Sequence, residues 1–438
     1  MWRGGAVRER CGDGELRREG EGFDAGGETE ENERVQNRRS FLVSTAATAA
    51  LSRSAIGAND RIRFAILGAG TRGSYVGGVF TDFPDVELVA VCDVYKPTRD
   101  QQAAKLGEKT NSKPEAVNDY RRVLDRKDID AVLITTPDHW HGPMVIEACQ
   151  AGKDAYCEKP LSNSIEVGQK MRAAVREHKR VVQIGLQQRS WDHFQANAKR
   201  VQDGMIGNVY HAECIYQGNY TRPAGNPVDP PAGLDWDLFQ GPAERRPYVP
   251  MRQRSWRAFY DYSGGTLLDW GTHLTDVAHW YLNAREPLTC SASGQYARVP
   301  PQPEQLPDTL AVTWKYPKFV MTYTNCVRQS PDFDVQGNHF LGTIGWLQVN
   351  RTGYRFRANP AGRNAPAAAP FEPVSQSFRY EGGPSDHAHV RNFLDCVKSR
   401  QDPVVSVDTG FYSTLPTLMG VLAVRYGKTY SWNGTEAV

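Results

Sequence analysis

Arg61-Ile62-Arg63-Phe64-Ala65-Ile66-Leu67-Gly68-Ala69-Gly70-Thr71-Arg72-Gly73 is the stretch that decides the fold of this 438-residue chain. The first seven residues are a short apolar run of the kind that forms a buried parallel strand, and G-x-G-x-x-G follows directly. Gly68 permits a tight turn, Gly70 lets backbone approach a pyrophosphate, and Gly73 lets the following helix pack on the strand. The helix N-terminus then presents free N–H groups to phosphates. A second apolar run, 86–92, ends in Asp93, twenty residues after Gly73. A carboxylate there meets adenosine ribose hydroxyls and repels a 2′-phosphate, which favours NAD over NADP, with Lys96 and Arg99 nearby softening the preference.

The strand–helix alternation continues. Helices are expected over 96–107 and 119–124, and a strand over 130–135 that runs into Thr136-Pro137-Asp138-His139-Trp140-His141. A helix over 145–151 and a strand over 154–157 then deliver Glu158-Lys159-Pro160, and 181–185 reads as the sixth strand. Loops at the carboxyl ends of parallel strands are where ligands sit in this architecture. Gly68, Gly70, Thr71, Arg72, Gly73, Asp93, Thr136, Pro137, His141, Glu158, Lys159 and Gln187 are accordingly the expected cofactor contacts. The Lys159-Pro160 bond is a candidate for the cis form, which X-Pro alone tolerates cheaply.

Downstream, Tyr262-Ser263-Gly264-Gly265 opens a helical segment carrying Asp269 and His273. Four residues apart, they project from one face, so the carboxylate is expected to support the imidazole. Imidazole has a pKa near working pH without much tuning, and suits His273 as a base for a hydroxyl proton. Lys159 would place its ammonium beside a developing alkoxide, where preorganised charge is worth about 3–4 kcal/mol of barrier. Lys159, His273 and Asp269 are therefore the expected catalytic set. Arg189, Trp256 and Arg257 join them as expected substrate contacts, because sugars stack on aromatic faces and accept hydrogen bonds from Arg. His279, beside Trp280, reads as a structural histidine.

Between 210 and 379 short strand-like runs (210–217, 309–314, 320–325) alternate with Pro and Gly clusters, and 359–373 reads as an exposed loop. Past 385, segments 390–396 and 414–424 are helical in pattern and expected to return to the nucleotide domain. The resulting plan is a leader over 1–59, a Rossmann domain over 60–186, an α+β substrate domain over 187–384, and C-terminal helices over 385–438. Residues 1–36 are rich in Gly, Glu and Arg and are expected to be disordered. Asn37-Arg38-Arg39-Ser40-Phe41-Leu42 followed by a small apolar run reads as a twin-arginine export signal, far too short to span a bilayer. It implies a periplasmic or extracytoplasmic location; without a working signal the protein stays in the cytoplasm. With 52 basic and 50 acidic residues the chain has no electrostatic footprint of a nucleic-acid binder. Its eight cysteines are scattered with no C-x-x-C pair, so neither a zinc site nor a disulfide framework is expected.

In order and spacing, G-x-G-x-x-G, Thr136-Pro137 with a nearby His, Glu158-Lys159-Pro160, and a Gly-rich turn leading to Asp269-x-x-x-His273 resemble the glucose-fructose oxidoreductase and inositol dehydrogenase (Gfo/Idh/MocA) family. The resemblance runs from about residue 61 to 432. It implies an N-terminal Rossmann domain followed by a mostly antiparallel open sheet that lines the substrate pocket and makes a homo-oligomer interface. It also implies that Lys159 contacts the reacting hydroxyl and that His273 is the acid/base, assisted by Asp269. Three functions are compatible with these parts. The first is an NAD(P)-dependent dehydrogenase acting on a sugar or polyol. The second is an NAD-dependent glycosidase working by transient oxidation and elimination, and the third a non-catalytic dinucleotide-binding sensor. No metal, nucleic acid or membrane span enters any of them.

Overall fold

The computed structural model describes residues 61–326, 335–359 and 386–438. The expected leader, the twin-arginine segment, and the loop over 359–373 beyond its first residue lie outside the described residues. The described residues all belong to one compact unit.

Its first half alternates strand and helix: β1 (Ile62–Leu67), α1 (Thr71–Phe80), β2 (Val86–Cys92), α2 (Lys96–Thr110), β3 (Glu115–Val117), α3 (Tyr120–Leu124), β4 (Ala131–Ile134), α4 (Asp138–Gln150), β5 (Asp154–Cys157), α5 (Ile165–His178) and β6 (Val182–Ile184). The six strands are parallel in the order β3-β2-β1-β4-β5-β6. They read as near-continuous apolar runs because helices cover both faces. The order in which strands are added reverses between β1 and β4, and the carboxyl ends of those two strands open the crevice where such sheets hold ligands.

The second half runs α6 (Asp192–Gln202), β7 (Val209–Ile215), α7 (Trp236–Gln240), α8 (Pro250–Arg254), α9 (Gly265–Leu282), β8 (Thr289–Gln295), β9 (Thr309–Lys315), β10 (Val320–Thr324), β11 (Gly337–Gly342), β12 (Gly345–Asn350), β13 (Gly353–Ala358), α10 (His387–Ser399), α11 (Val407–Tyr426) and β14 (Tyr430–Ser431). Eight strands form a second sheet, β13-β12-β11-β7-β10-β9-β8-β14, antiparallel except for the β7–β10 pair. The expected α/β class, with a parallel sheet followed by a mostly antiparallel one, is what the chain adopts.

Alternation along each strand sorts this sheet into two faces. One row across seven strands, Cys290, Trp314, Met321, Ala212, Phe340, Leu347 and Phe356, is buried throughout. Its core cluster takes in Leu274, Val277 and Ala278 of α9 and Leu415 and Met419 of α11. The adjacent row is polar: Ser291, Thr313, Thr322, Glu213, His339, Gln348 and Arg355. Strands β8, β11, β12 and β13 had no local signature to find. Thr-Cys-Ser-Ala-Ser-Gly-Gln in β8 is small and polar, and only its place on the sheet makes it a strand.

The two C-terminal helices part company. Val390, Phe393 and Leu394 of α10 pack with Phe64, Phe80 and Tyr156 of the nucleotide domain. Asp85 clamps that contact by accepting from Arg391 at 2.8 Å and from Lys398 at 2.5 Å. Helix α11 does not chiefly return there as expected: its length is buried against α9 and the second sheet, with Trp314 Nε1 donating to the Pro416 carbonyl at 2.8 Å. Its first two turns do reach the nucleotide domain: Asp408 accepts from Arg172 and Arg176, Arg172 lies over the Phe411 and Tyr412 rings, and Thr414 Oγ1 accepts from the Leu161 N–H at 3.1 Å. Apolar residues around most of its circumference explain the choice, since such a helix needs a core on every side. All seven described cysteines are unpaired thiols. Among the described residues no helix is long and apolar enough to cross a membrane.

A Cβ on Gly73 would lie 2.0 Å from the Gly68 carbonyl oxygen, which is backbone and cannot swing away. Gly73→Ala is expected to cost about 1–3 kcal/mol in urea unfolding and to weaken dinucleotide binding. Wild-type stability in that variant would mean the turn yields more easily than its contacts imply.

Candidate active site

The β1–α1 turn is built as a cradle. Gly68 has φ +92°, the left-handed region that glycine enters without strain, and it packs against the Thr135–Thr136 backbone. A Cβ on Gly70, by contrast, would meet nothing within 4 Å, so the turn is open on that side. No side chain caps α1, which leaves its first N–H groups for an anion. At the end of β2, Asp93 accepts from the backbone N–H of Ala69 at 2.7 Å and of Tyr95 at 2.9 Å. Burial raises its pKa against those hydrogen bonds. Asp93, Val94, Asn118, Thr136 and Pro137 help to enclose a cavity of about 90 Å³ beside the turn. Open backbone, unsatisfied donors and a carboxylate-lined recess fit a dinucleotide.

At the carboxyl end of β5 the chain enters Glu158-Lys159-Pro160, with the Lys159-Pro160 bond cis. Glu158 takes a hydrogen bond from Arg72 Nε at 2.7 Å, and Arg72 Nη2 lies 2.6 Å from Asp386. Arg72, expected as a cofactor contact, is thus already held by two carboxylates and ties the glycine turn to the loop leading into α10. Coulombic attraction to Glu158 and Asp386 outweighs burial and raises its pKa. His141 also serves as a brace: its ring nitrogens face the carbonyls of Pro160 (2.7 Å) and Thr136 (3.0 Å).

Lys159 is drawn across to the second domain. Its ammonium donates to the Asp269 carboxylate and, at 3.0 Å, to the Asp269 carbonyl. The same carboxylate accepts from the Tyr220 hydroxyl at 2.6 Å and pairs with Arg257 at 3.3 Å. Burial alone would raise the Asp269 pKa, but the charges of Lys159 and Arg257 and the donated hydrogen bonds hold it well below the usual carboxylate range.

That arrangement corrects the expected Asp269–His273 pair. The i, i+4 spacing does place both on one side of α9, yet no hydrogen bond joins them. A fixed ammonium and guanidinium win a carboxylate over a neutral imidazole. His273 is 4% exposed and its Nδ1 has no partner. Its pKa is not near the working range as expected. Burial drives it well below 6.5, with the charges of Arg351, Lys159 and Arg72 adding to the effect.

Lys159, His273 and Asp269 nonetheless face one cavity of about 200 Å³, together with Gln187, Trp256 and Arg257. Arg257 lies 4.2 Å from the Trp256 ring centre. Arg189 is not brought to this wall: its Nε donates to Asp276 at 2.8 Å and its guanidinium lies over Trp280, so a buried carboxylate of α9 itself has captured it. His279 bonds the Tyr316 hydroxyl at 2.6 Å, deep in the core. Tyr220, Asp138, Trp270 and Arg351 also line the cavity and escaped the reading of the sequence. Tyr220 and Arg351 lie in segments without a motif. Asp138, beside Thr136-Pro137, could have been found from its place at a strand's carboxyl end.

A family model described as "Oxidoreductase family, NAD-binding Rossmann fold" matches residues 62–186, and one described as "GFO/IDH/MocA C-terminal domain" matches 194–348. The chain belongs to the Gfo/Idh/MocA family. Its nucleotide domain therefore corresponds to the NAD-binding Rossmann domain of what that model describes as an oxidoreductase family. Among Gfo/Idh/MocA relatives, the scyllo-inositol 2-dehydrogenase (NAD(+)) of Bacillus subtilis (strain 168) is 32% identical over 243 residues, 55% of this chain and 59% of that protein. A glycosyl hydrolase family 109 protein of Shewanella sp. (strain W3-18-1) is 31% identical over 162 residues, 36% of this chain and 35% of that one. Neither match reaches two thirds of the relative's length. The aldose-aldose oxidoreductase of Caulobacter crescentus, solved with glycerol, superposes with TM-score 0.58 at 21% identity, covering 85% of this chain and all of that one. At that identity the likeness establishes the Gfo/Idh/MocA fold alone.

Asp138 is fully enclosed, accepts from Ser263 Oγ at 2.5 Å, and is pushed by burial up to about 7. Its folded pKa exceeds the unfolded value of about 3.9, so folding takes up a proton. The stability this group contributes is full below about pH 4 and is lost as pH rises through about 7. Urea midpoints of Asp138→Asn should accordingly fall less between mildly acidic and mildly alkaline buffer than those of the parent. Identical slopes would show Asp138 ionising normally.

Proposed function

We propose that the protein oxidises a carbinol of a sugar or polyol with NAD, with Lys159 and His273 handling the hydroxyl. The observation that carries this reading is that an ammonium from the nucleotide domain and an imidazole from α9 line one cavity beside the glycine turn. NAD supplies the two-electron acceptor when bound. Everything else is work for this chain's own side chains. Trp256 lines the recess, and Arg257 and Gln187 offer polar contacts. Gln187 Oε1 is buried and unpartnered, an acceptor without a donor in the free protein. Lys159, oriented by Asp269, stabilises the alkoxide that forms as the hydroxyl ionises. His273, kept neutral by its surroundings, takes the proton. Tyr220 fixes the far oxygen of Asp269, so the carboxylate cannot rotate away from Lys159.

A second reading, redox-neutral glycoside cleavage, is supported by the family 109 relatives and by Asp138. A carboxyl held near neutrality in the same cavity is the type of group that protonates a leaving glycosidic oxygen. The twin-arginine segment supports export of the folded protein to the periplasm, and membership of the family supports association with a second copy through the second sheet.

Lys159→Ala should lower kcat by about 10²–10³-fold while the Kd for NAD stays within a few-fold, measured by steady-state NADH formation and by calorimetry. Parental turnover in that variant, on the preferred sugar, would remove Lys159 from the mechanism. A base must be deprotonated to act, and His273 titrates well below ordinary imidazole. The acid limb of kcat/KM against pH should therefore fall below the ordinary value of about 6.5, and a limb at or above it would point to another base. Cleavage of a nitrophenyl glycoside without accumulation of NADH would select the second reading over the first.

A further inference from the structure

Behind His273 the active-site cavity has a neighbour. Gln188, Tyr216, Trp270, His273, Asn338 and Arg351 help to line a compartment of about 120 Å³ between α9 and the second sheet. Trp270, His273 and Arg351 are common walls of both spaces. Tyr216 and Trp270 stack with ring centres 4.4 Å apart.

The charges lining the two spaces do not match evenly. Arg72 has Glu158 and Asp386, while Lys159 and Arg257 share Asp269. Arg351, in the two-residue turn between β12 and β13, has no carboxylate and no hydrogen-bond acceptor among the described residues. Its Nε is buried and unpartnered, and its guanidinium rests on the faces of Trp270 (4.5 Å) and Trp191 (5.8 Å). Besides His273 Nδ1, two further buried atoms lining this compartment lack partners: Gln188 Oε1 and Asn338 Oδ1, both acceptors. Asp386, Asp269 and Glu158 attract this partly buried guanidinium only from beyond ion-pair distance, and a desolvated charge with no partner in contact is costly. A ligand that brings one anionic group and several hydroxyl donors satisfies all three residues at once.

We propose that the substrate is a sugar acid, whose carboxylate Arg351 holds while Gln188 and Asn338 accept its hydroxyl protons. This rests on the reading of the main cavity as a sugar oxidoreductase site and adds the substrate class. A carboxylate fits better than a phosphate because a single unpaired guanidinium faces the compartment, enough for one negative charge and not for two. Arg351 is also the charge that most depresses His273 after burial, so an anion seated on it would strengthen the base when substrate arrives.

The test compares hexuronates with their neutral hexoses (glucuronate and glucose, galacturonate and galactose, mannuronate and mannose) on the NAD-loaded protein, by NADH formation and by calorimetry. For at least one pair the uronate should be favoured in kcat/KM by about 10–100-fold, the worth of a charge-assisted pair. Arg351→Gln should lower kcat/KM for that uronate at least tenfold more than for the hexose, mainly through KM. Turnover of hexoses with no uronate preference overturns the acid assignment and leaves the oxidoreductase reading intact. Uronate binding without hydride transfer does the reverse. Tighter binding of glucose 6-phosphate than of any uronate, or no binding of any uronate, also overturns the proposal. The wild-type comparison decides the matter even if the variant fails to fold.

Discussion

The Asp269 carboxylate is the constraint on which the rest of the site depends. It is buried, it belongs to the second domain, and it holds the ammonium of a lysine that the first domain delivers. Removing one partner of such a pair typically costs about 3–5 kcal/mol, because the other is left as an uncompensated buried charge. The two domains are therefore fastened at the point where chemistry is proposed. Tyr220 and Arg257 occupy the remaining lone pairs, which is what makes burial of the carboxylate tolerable.

A similar arrangement recurs at Arg72, whose two carboxylates come from the strand end carrying Lys159 and from the start of α10. The glycine turn, the Lys159 loop and the C-terminal helix are thereby coupled through one guanidinium. Burial is the first cause of the depressed pKa of His273, and among the charges that add to it Arg351, which has no ion-pair partner, comes ahead of the paired Lys159 and Arg72. An imidazole so placed remains neutral, able to accept a proton and poorly able to keep one. Base strength in this pocket thus depends on what the ligand brings, a feature of enclosed sites where fixed charges are not screened by water.

The nucleotide half was legible because its signals are local. The Gly68–Gly73 turn, the apolar strands and the strand-end position of Lys159 each follow from neighbours in the sequence; strand boundaries moved by only a residue, whereas the helix expected over 145–151 begins at Asp138 and the one expected over 96–107 runs on to Thr110. The second half was harder. Strand β8 has no apolar alternation to detect, and α11 gave a clear helical pattern but no hint that α9 and the second sheet would claim it. At the site, Trp256, Arg257 and Gln187 were within reach of composition and position. Arg189 was not, because its fate is set by Asp276, eighty-seven residues away.

By itself the sequence determined the fold class, the cradle for a dinucleotide and the presence of a lysine and a histidine suited to a carbinol. Those follow from periodicity, glycine sterics and the acid–base range of side chains, all of which act over a few residues. Which carboxylate serves which cation was decided only by the tertiary structure, and with it the protonation of His273, the capture of Arg189 and the isolation of Arg351. Electrostatic partnership inside a protein is a competition among groups brought together from distant parts of the chain, and spacing along one helix cannot rank rivals that arrive from another domain.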